Sequence, residues 1–140
     1  MTKGEIAKEY FLTGINCAQA VALSFKDEMK KDEDEIKKLI IGFGGGFGRQ
    51  RLVCGAVCGM TMVLSYLTSD GNDKLSIYKT IQSACAEVKA KLGSLICSEL
   101  LNGVQNDDLP TPEARTEAYY KKRPCAEIVQ IVADITAKYL

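Results

Sequence analysis

GFGGGFGRQRLVCGAVCGM, residues 42–60, is the stretch that organises the chain. Five glycines fall within seven residues, two arginines follow, and then come two cysteines four positions apart. Because glycine adopts positive φ without strain, such a run ends one helix and lets the chain reverse into the next. We therefore expect a Gly-rich loop here, with a mostly apolar helix after it.

The segments on both sides of this loop have a helical pattern. Apolar residues recur at helical spacing between capping residues, and no stretch alternates as a strand would. The sequence predicts an all-α fold, a single domain over residues 1–140 that forms a bundle of about six or seven helices, with the Gly-rich loop before the fourth. The expected helices cover residues 2–12, 17–29, 35–41, 52–67 and 74–92, a short one from Ser94, one opened by Thr111 and Pro112 and a last one from about Pro124, with a long loop at 103–112.

The composition excludes several classes of protein. Eighteen basic residues balance eighteen acidic ones, which disfavours nucleic acid as the main partner. The first thirty residues lack a basic segment followed by an apolar run, so we expect no export signal. The longest apolar window, residues 52–67, is too short to span a bilayer and contains Gly, Ser and Thr. We expect a cytoplasmic protein with no membrane partner.

The unusual residue counts are six cysteines and no histidine. In a reducing compartment, cysteines favour metal binding or redox chemistry over a disulfide framework. The lack of histidine removes the commonest general base and metal ligand, and with it serine triads, zincins and two-histidine iron sites. Any reactive chemistry must therefore use cysteine, carboxylates, lysine, tyrosine or a bound cofactor.

Four of the six cysteines fall at predicted helix starts. There, unsatisfied backbone N–H groups and the positive end of the helix dipole favour an anion, so we expect their thiols to shift towards thiolate. Cys58 and Cys85 lie inside helices and are interpreted as packing residues. Simple packing remains the alternative for the first group too, because free cysteine is often buried. The four residues at helix starts are Cys17, Cys54, Cys97 and Cys125.

No local spacing of these cysteines matches a known metal motif. The sequence has no C-x-x-C pair, which disfavours a zinc knuckle or a bacterial ferredoxin. A site assembled from four separate helices stays open, since helical bundles build sites in this way. Cys54 and Cys58 face one side of a helix, and we interpret that pair as packing before a disulfide or a shared metal.

The glycine run fails both nucleotide-binding templates. It does not fit G-x-G-x-x-G, and no Lys-Ser or Lys-Thr follows for a P-loop. Its consecutive glycines could still form a backbone nest for an anion or cofactor, at Gly44, Gly45 and Gly46 with Arg49. Arg51 would add positive charge and lower the pKa of the Cys54 thiol. The alternative is a purely structural role in close helix packing, where the small-residue face of the fourth helix could also serve a homodimer.

Several segments together resemble one family. They are "NCAQAV" at residues 16–21, "GFGGGFGR" at 42–49, "CGAVCG" at 54–59, "GSLICSELL" at 93–101 and "CAEIV" at 125–129. In this order they are similar to the C_GCAxxG_C_C family, described as "putative redox-active" proteins. Its four named cysteines correspond to Cys17, Cys54, Cys97 and Cys125, the same four that lie at predicted helix starts. The resemblance implies redox chemistry or electron transfer, with a prosthetic group such as an iron–sulfur cluster.

The leading hypothesis is a redox protein whose four cysteines converge at one end of the bundle. They would bind a metal, either zinc or an iron–sulfur cluster, or carry out thiol–disulfide exchange with no cofactor. The residues show no general acid and base set, so a carrier or sensor for an unknown redox partner is expected before substrate turnover. The alternative is a non-redox module that binds an anion or a partner through the Gly-rich loop, with the cysteines only packing. A third reading is a structural subunit of a larger complex.

Overall fold

The computed structural model describes residues 1–101 and 109–140, which form an all-α domain, as predicted. In this part of the chain six helices have seven or more residues. A short 3-10 turn, Ile41–Phe43, precedes α5. Most of the predicted loop at 103–112 and the end of the short helix predicted from Ser94 lie outside the described residues. The helices are α1 (Lys3–Leu12), α2 (Cys17–Leu23), α3 (Lys26–Met29), α4 (Glu33–Ile40), α5 (Gly44–Phe47), α6 (Gly55–Thr68), α7 (Lys74–Leu92), α8 (Cys97–Leu100), α9 (Glu117–Lys122) and α10 (Cys125–Ala137).

Helix α2 lies at the centre of the fold. Every residue after its first is buried, and it packs against α1, α4, α6 and α10. A helix surrounded on all sides needs small or apolar side chains all round, and "CAQAVAL" provides them. Gly59 of α6 allows a close approach to α2, because a Cβ there would lie 2.7 Å from the carbonyl oxygen of Ala18. This placement brings the N-terminus of α2 to the end of the bundle where the other cysteines lie.

The predicted helix over residues 17–29 is wrong in one respect, because it is interrupted after Leu23. The Ser24 hydroxyl donates to the carbonyl oxygen of Val21 at 2.6 Å, and the chain resumes as the short α3. A serine that bonds the preceding turn competes with the regular helix ladder. The start of α2 is as expected, since Asn16 caps it and forms a capping box with Gln19.

Two predicted helices start later than expected because their first residues pair with each other. Val53 and Ile96 form an isolated antiparallel bridge. The N–H of Cys54 donates to the carbonyl oxygen of Leu95 at 2.8 Å, and the N–H of Cys97 donates to that of Leu52 at 2.6 Å. The backbone groups that a helix would use are therefore satisfied between segments, so α6 begins at Gly55 and α8 at Cys97.

The helix predicted from Thr111 and Pro112 is wrong in its start. Residues 111–115 are not helical, and α9 begins at Glu117, where the Thr116 side chain accepts a hydrogen bond from the N–H of Tyr119. Thr116 is the better cap because the helical turn follows it directly. In the described ranges, 1–101 and 109–140, no helix has the length and apolarity needed to cross a bilayer.

The glycine-rich segment is a turn of left-handed backbone. All five residues from 45 to 49 have positive φ, and so does Arg51. The N–H of Arg51 donates to the carbonyl oxygen of Gly45 at 3.0 Å, and that of Leu52 donates to Gly46 at 3.1 Å. Three of the residues with positive φ are not glycine, and at each the left-handed conformation costs roughly 1–2 kcal/mol of stability. They are Phe47, Arg49 and Arg51. Strain of this kind persists where surrounding contacts over-determine the backbone.

Candidate functional site: a cysteine-lined cavity

One cavity of about 530 Å³ collects all four cysteines that the sequence places at helix starts. Cys17, Cys97 and Cys125 are the first residues of α2, α8 and α10, and Cys54 is the residue that precedes α6. The cavity lies between these helix starts and the left-handed turn. The expected convergence of the four side chains is therefore present, and their chemical roles remain a prediction.

The bridge between residues 53 and 96 sets the positions of Cys54 and Cys97. Each follows a bridged residue by one position, so both project from the face opposite to Val53 and Ile96. Both are largely buried, with exposures of 6% for Cys54 and 9% for Cys97. The Nη1 of Arg51 lies 3.8 Å from the Cys97 sulfur. Cys97 is thus the thiol with a guanidinium directly beside it.

Cys17 lies in a narrow space between the left-handed turn and α6. The backbone amide of Gly45 hydrogen-bonds its sulfur, which favours the thiolate. A Cβ on Gly55 would lie 2.5 Å from the same sulfur, so only glycine leaves room for it. A negative charge on Cys17 would repel thiolates at Cys54, Cys58 and Cys125, which places it within electrostatic reach of them. Cys97 is likewise within electrostatic reach of Cys17, Cys54 and Cys125, so the four cavity thiols form one electrostatic group.

The expectation that helix starts lower the thiol pKa is wrong for three of the four cysteines. Burial is the largest effect on each and raises the pKa of Cys17, of Cys54 and of Cys125, the last to about 12. Backbone amides of Ala56 and Val57 favour the Cys54 thiolate, but they do not offset its removal from water. The expected effect of Arg49 and Arg51 on Cys54 fails for the same reason. Near neutral pH these three thiols are protonated.

Raised thiol pKa values predict that the reduced protein loses stability in alkali. The folded state keeps protons that the unfolded chain releases near pH 9, so this contribution is complete below pH 9 and declines as the pH rises towards about 12. Under anaerobic reducing conditions, we expect the Tm to fall above pH 9 by roughly 4–6 °C per pH unit for each retained proton. Thermal melts from pH 7 to 10.5 measure it. Cys125→Ala should show a shallower slope, and an unchanged slope would contradict the assignment to this thiol.

The two cysteines interpreted as packing residues lie outside the cavity wall. Cys58 and Cys85 are both partly exposed, and Cys85 packs against the hydrophobic core. Partial burial raises the pKa of Cys58 to about 11 and also raises that of Cys85. A negative charge on Cys85 would raise the pKa of Cys58 further, in agreement with the contact between α6 and α7.

The glycines and the arginine predicted to bind a cofactor divide into two groups. Gly44 and Gly45 line the cavity, and so does Arg49. Gly46 does not; it lies against the backbone, where a Cβ would be 2.5 Å from the nitrogen of Leu52. The Nη1 of Arg49 donates to the carbonyl oxygen of Leu109 at 2.6 Å and also to that of Thr111. Arg49 therefore ties the left-handed turn to residues 109–111.

All four arginines of the chain line this cavity, and none of the lysines does. The sequence prediction included Arg49 and Arg51 but not Arg115 or Arg123. The side chain of Arg123 is buried, and its Nη2 pairs with Glu113 at 2.9 Å. For Arg123, the sequence contains one indication of its place in the cavity. Like Arg51, it lies within three residues of a cavity cysteine.

The donor set fits a large thiolate-bound group better than a single ion. Among residues 1–101 and 109–140, no three cysteine, aspartate or glutamate side chains come close enough together to hold one metal ion. A closed zinc site needs four ligands around one ion, so the described residues do not form one in this conformation. Four cysteines spread over the wall of a cavity of about 530 Å³ have the chemistry of iron–sulfur ligands.

Comparison with known proteins identifies the family. Searches among curated proteins and among solved structures found no match. The model of one family, described as "Putative redox-active protein (C_GCAxxG_C_C)", matches residues 15–139. The match includes all four cavity cysteines, the glycine-rich turn and all four arginines. The chain therefore belongs to the C_GCAxxG_C_C family.

Proposed function

We propose that the protein is a thiol redox carrier whose reactive centre is the cysteine-lined cavity. The observation that supports this most is that four cysteines, distant in sequence, line one cavity. Packing alone would not require thiols at these positions, because the fold contains many buried alanines and valines. The family to which the chain belongs is described as redox-active, in agreement with this proposal.

Cys97 is proposed to react first and Cys17 to resolve the intermediate. The Nη1 of Arg51 lies 3.8 Å from the Cys97 sulfur, and this contact with a cation makes Cys97 the proposed site of attack on a disulfide. Cys97 attacks one sulfur of an oxidising disulfide, and one thiol of the oxidant leaves. Cys17, which lies within electrostatic reach of Cys97, then attacks the Cys97 sulfur, and the second thiol leaves. The two protons of Cys97 and Cys17 are taken up by the two leaving thiolates, and the oxidant gains two electrons.

A second candidate is electron transfer through an iron–sulfur cluster. The specific observations in its favour are the four sulfurs and the size of the cavity. Cys17, Cys54, Cys97 and Cys125 would be the ligands, and the group would supply one-electron transfer. The chain's own part is to release four thiol protons and to exclude water. Because burial raises the pKa of three of these thiols, loading should be strongly favoured by higher pH.

Anaerobic purification followed by thiol mapping tests both candidates. We expect a colourless, iron-free protein that forms one intramolecular disulfide between Cys97 and Cys17 when oxidised, measured by alkylation and peptide mass spectrometry. Cys97→Ser should abolish that disulfide, whereas Cys85→Ser, outside the cavity, should leave it intact. Broad visible absorbance with bound iron, lost in Cys54→Ser but kept in Cys85→Ser, would favour the cluster. A colourless protein with six unreactive thiols would contradict both and leave the non-redox alternative.

A further inference from the structure

The separation of arginine from lysine in this chain is not explained by folding alone. Every arginine lines the cysteine cavity, while the lysines lie elsewhere. Among the described wall residues the one carboxylate is Glu113. Arginine differs from lysine in presenting a planar fork that binds a carboxylate or phosphate through two hydrogen bonds. The wall is therefore suited to an anion.

Arg123 has an unused donor in this wall. Its side chain is buried, at 5% exposure for the residue, and its Nη2 pairs with Glu113 at 2.9 Å. Its Nε has no hydrogen-bond partner among residues 1–101 and 109–140. A buried donor left unsatisfied is costly, so a ligand that pairs with the Arg123 guanidinium would offset part of that cost.

Arg115 supplies a second charge that neutral groups hold in place. Its Nη1 donates to the carbonyl oxygen of Phe11 at 2.9 Å, and its Nη2 donates to that of Ile15 at 3.1 Å. Its guanidinium lies 4.1 Å from the Phe11 ring centroid and 5.1 Å from that of Tyr119. The guanidinium of Arg123 lies 5.6 Å from the same Tyr119 ring. Tyr119 thus stands between two fixed cations on one side of the cavity.

The size and depth of the cavity restrict what can reach the sulfurs. Cys54 and Cys97 are each less than one-tenth exposed, so the surface disulfide of a folded protein cannot approach them without rearrangement. A volume of about 530 Å³ accommodates a small molecule. We infer that the oxidant of this centre is a small anionic disulfide, whose carboxylate or phosphate group is bound by Arg123 and Arg115 while its sulfurs meet the cysteines. This inference rests on the proposed thiol chemistry and names its substrate class.

The reaction of such a disulfide balances with the residues already described. Its two sulfurs leave as two small anionic thiols, and Cys97 and Cys17 become joined by the new disulfide. Two electrons pass from the protein to the small molecule, and the two cysteine protons go to the departing thiolates. Reduction of the protein by an excess of the corresponding small thiol is the reverse of the same exchange.

Three small disulfides of nearly equal length but different charge test whether the protein prefers an anionic oxidant. The reduced protein is mixed with 3,3′-dithiodipropionate, which is anionic, with 2-hydroxyethyl disulfide, which is neutral, or with cystamine, which is cationic. Each oxidation rate is divided by the rate of the same disulfide with 2-mercaptoethanol. We expect the normalised rate for the anionic disulfide to exceed that for the neutral one by about tenfold or more, as one charge-assisted hydrogen bond would give, and cystamine to be slowest.

Matched variants assign the preference to the arginines. Arg123→Gln and, separately, Arg115→Gln should each remove most of the anionic advantage, measured as the ratio between the anionic and the neutral rate, which corrects for any change in the reactivity of the thiols. Lys122→Gln removes the same charge from an exposed neighbour and should retain the advantage. Equal normalised rates for all three disulfides with the unmodified protein would overturn this inference and leave the thiol chemistry standing. Failure of every disulfide to oxidise the protein would overturn the thiol chemistry, and the inference with it.

Discussion

Gly46→Ala should lower the free energy of unfolding by about 3–5 kcal/mol, because the added methyl group meets backbone and the residue has a positive φ. The added Cβ would lie 2.5 Å from the nitrogen of Leu52 and 2.9 Å from the carbonyl carbon of Arg51, and both are backbone atoms that cannot turn aside. The residue also has a φ of +75°, where alanine is strained. Denaturant titration of the reduced protein measures the loss.

Gly48→Ala is the matched control for this prediction. Gly48 belongs to the same left-handed turn and has a φ of +61°, but the nearest atom to an added Cβ is 3.9 Å away. Gly48→Ala should therefore lower the free energy of unfolding only through the strained φ, by about 1–2 kcal/mol. Equal losses in the two variants would mean that the collision with residues 51 and 52 is not what requires glycine at position 46.

Gly55→Ala should slow formation of the Cys17–Cys97 disulfide by tenfold or more, with a smaller loss of stability of about 1–3 kcal/mol. The new Cβ would lie 2.5 Å from the Cys17 sulfur, which must move or change rotamer to make room. Thiol exchange requires the two sulfurs in line, so a displaced Cys17 is poorly placed to resolve the intermediate. Oxidation rates by alkylation and mass spectrometry measure the effect.

A double variant shows whether the sulfur itself is the obstacle. In a Cys17→Ala background the sulfur is gone, and Gly55→Ala should cost at least about 1 kcal/mol less than in the parent protein. Some cost should remain, because the carbonyl oxygen of Phe43 would still lie 2.9 Å from the new Cβ. Gly42→Ala, which meets nothing within 4 Å, serves as the neutral control. Additive effects would contradict the close contact between Gly55 and Cys17.

The sequence predicted the helices well where local signals decide them. Asn16 and Asp73 are capping residues that the local sequence identifies, and Gly93 ends α7 with a φ of +91°. The predicted starts of the fourth and of the short helix were wrong because the competing structure, the bridge of Val53 with Ile96, joins residues 43 positions apart. Periodicity within a window of one helix contains no information about such a distant partner.

The sequence predicted that four cysteines lie close to one another, but it did not predict the direction of their pKa shifts. Counting cysteines at helix starts selected Cys17, Cys54, Cys97 and Cys125, and all four line one cavity. The helix start is a local feature, so the sequence contains it. The raised pKa of Cys54 comes first from burial, which depends on how several helices pack together. Arg123 was missed for the same reason, since nothing in its charged local context indicates that its side chain is buried.

The bridge between residues 53 and 96 also lies at the opposite end of the α6–α7 hairpin from its exposed turn. Helices α6 and α7 form a hairpin that the bridge closes at its base, beside Cys54 and Cys97. The tip of that hairpin is exposed at residues 70–73, and the 14 residues of α6 put it roughly 20 Å away from the base. An electrode tether or a fluorescent reporter attached at the tip would leave the sulfurs undisturbed, so the tip is a suitable attachment position for testing the proposed redox chemistry.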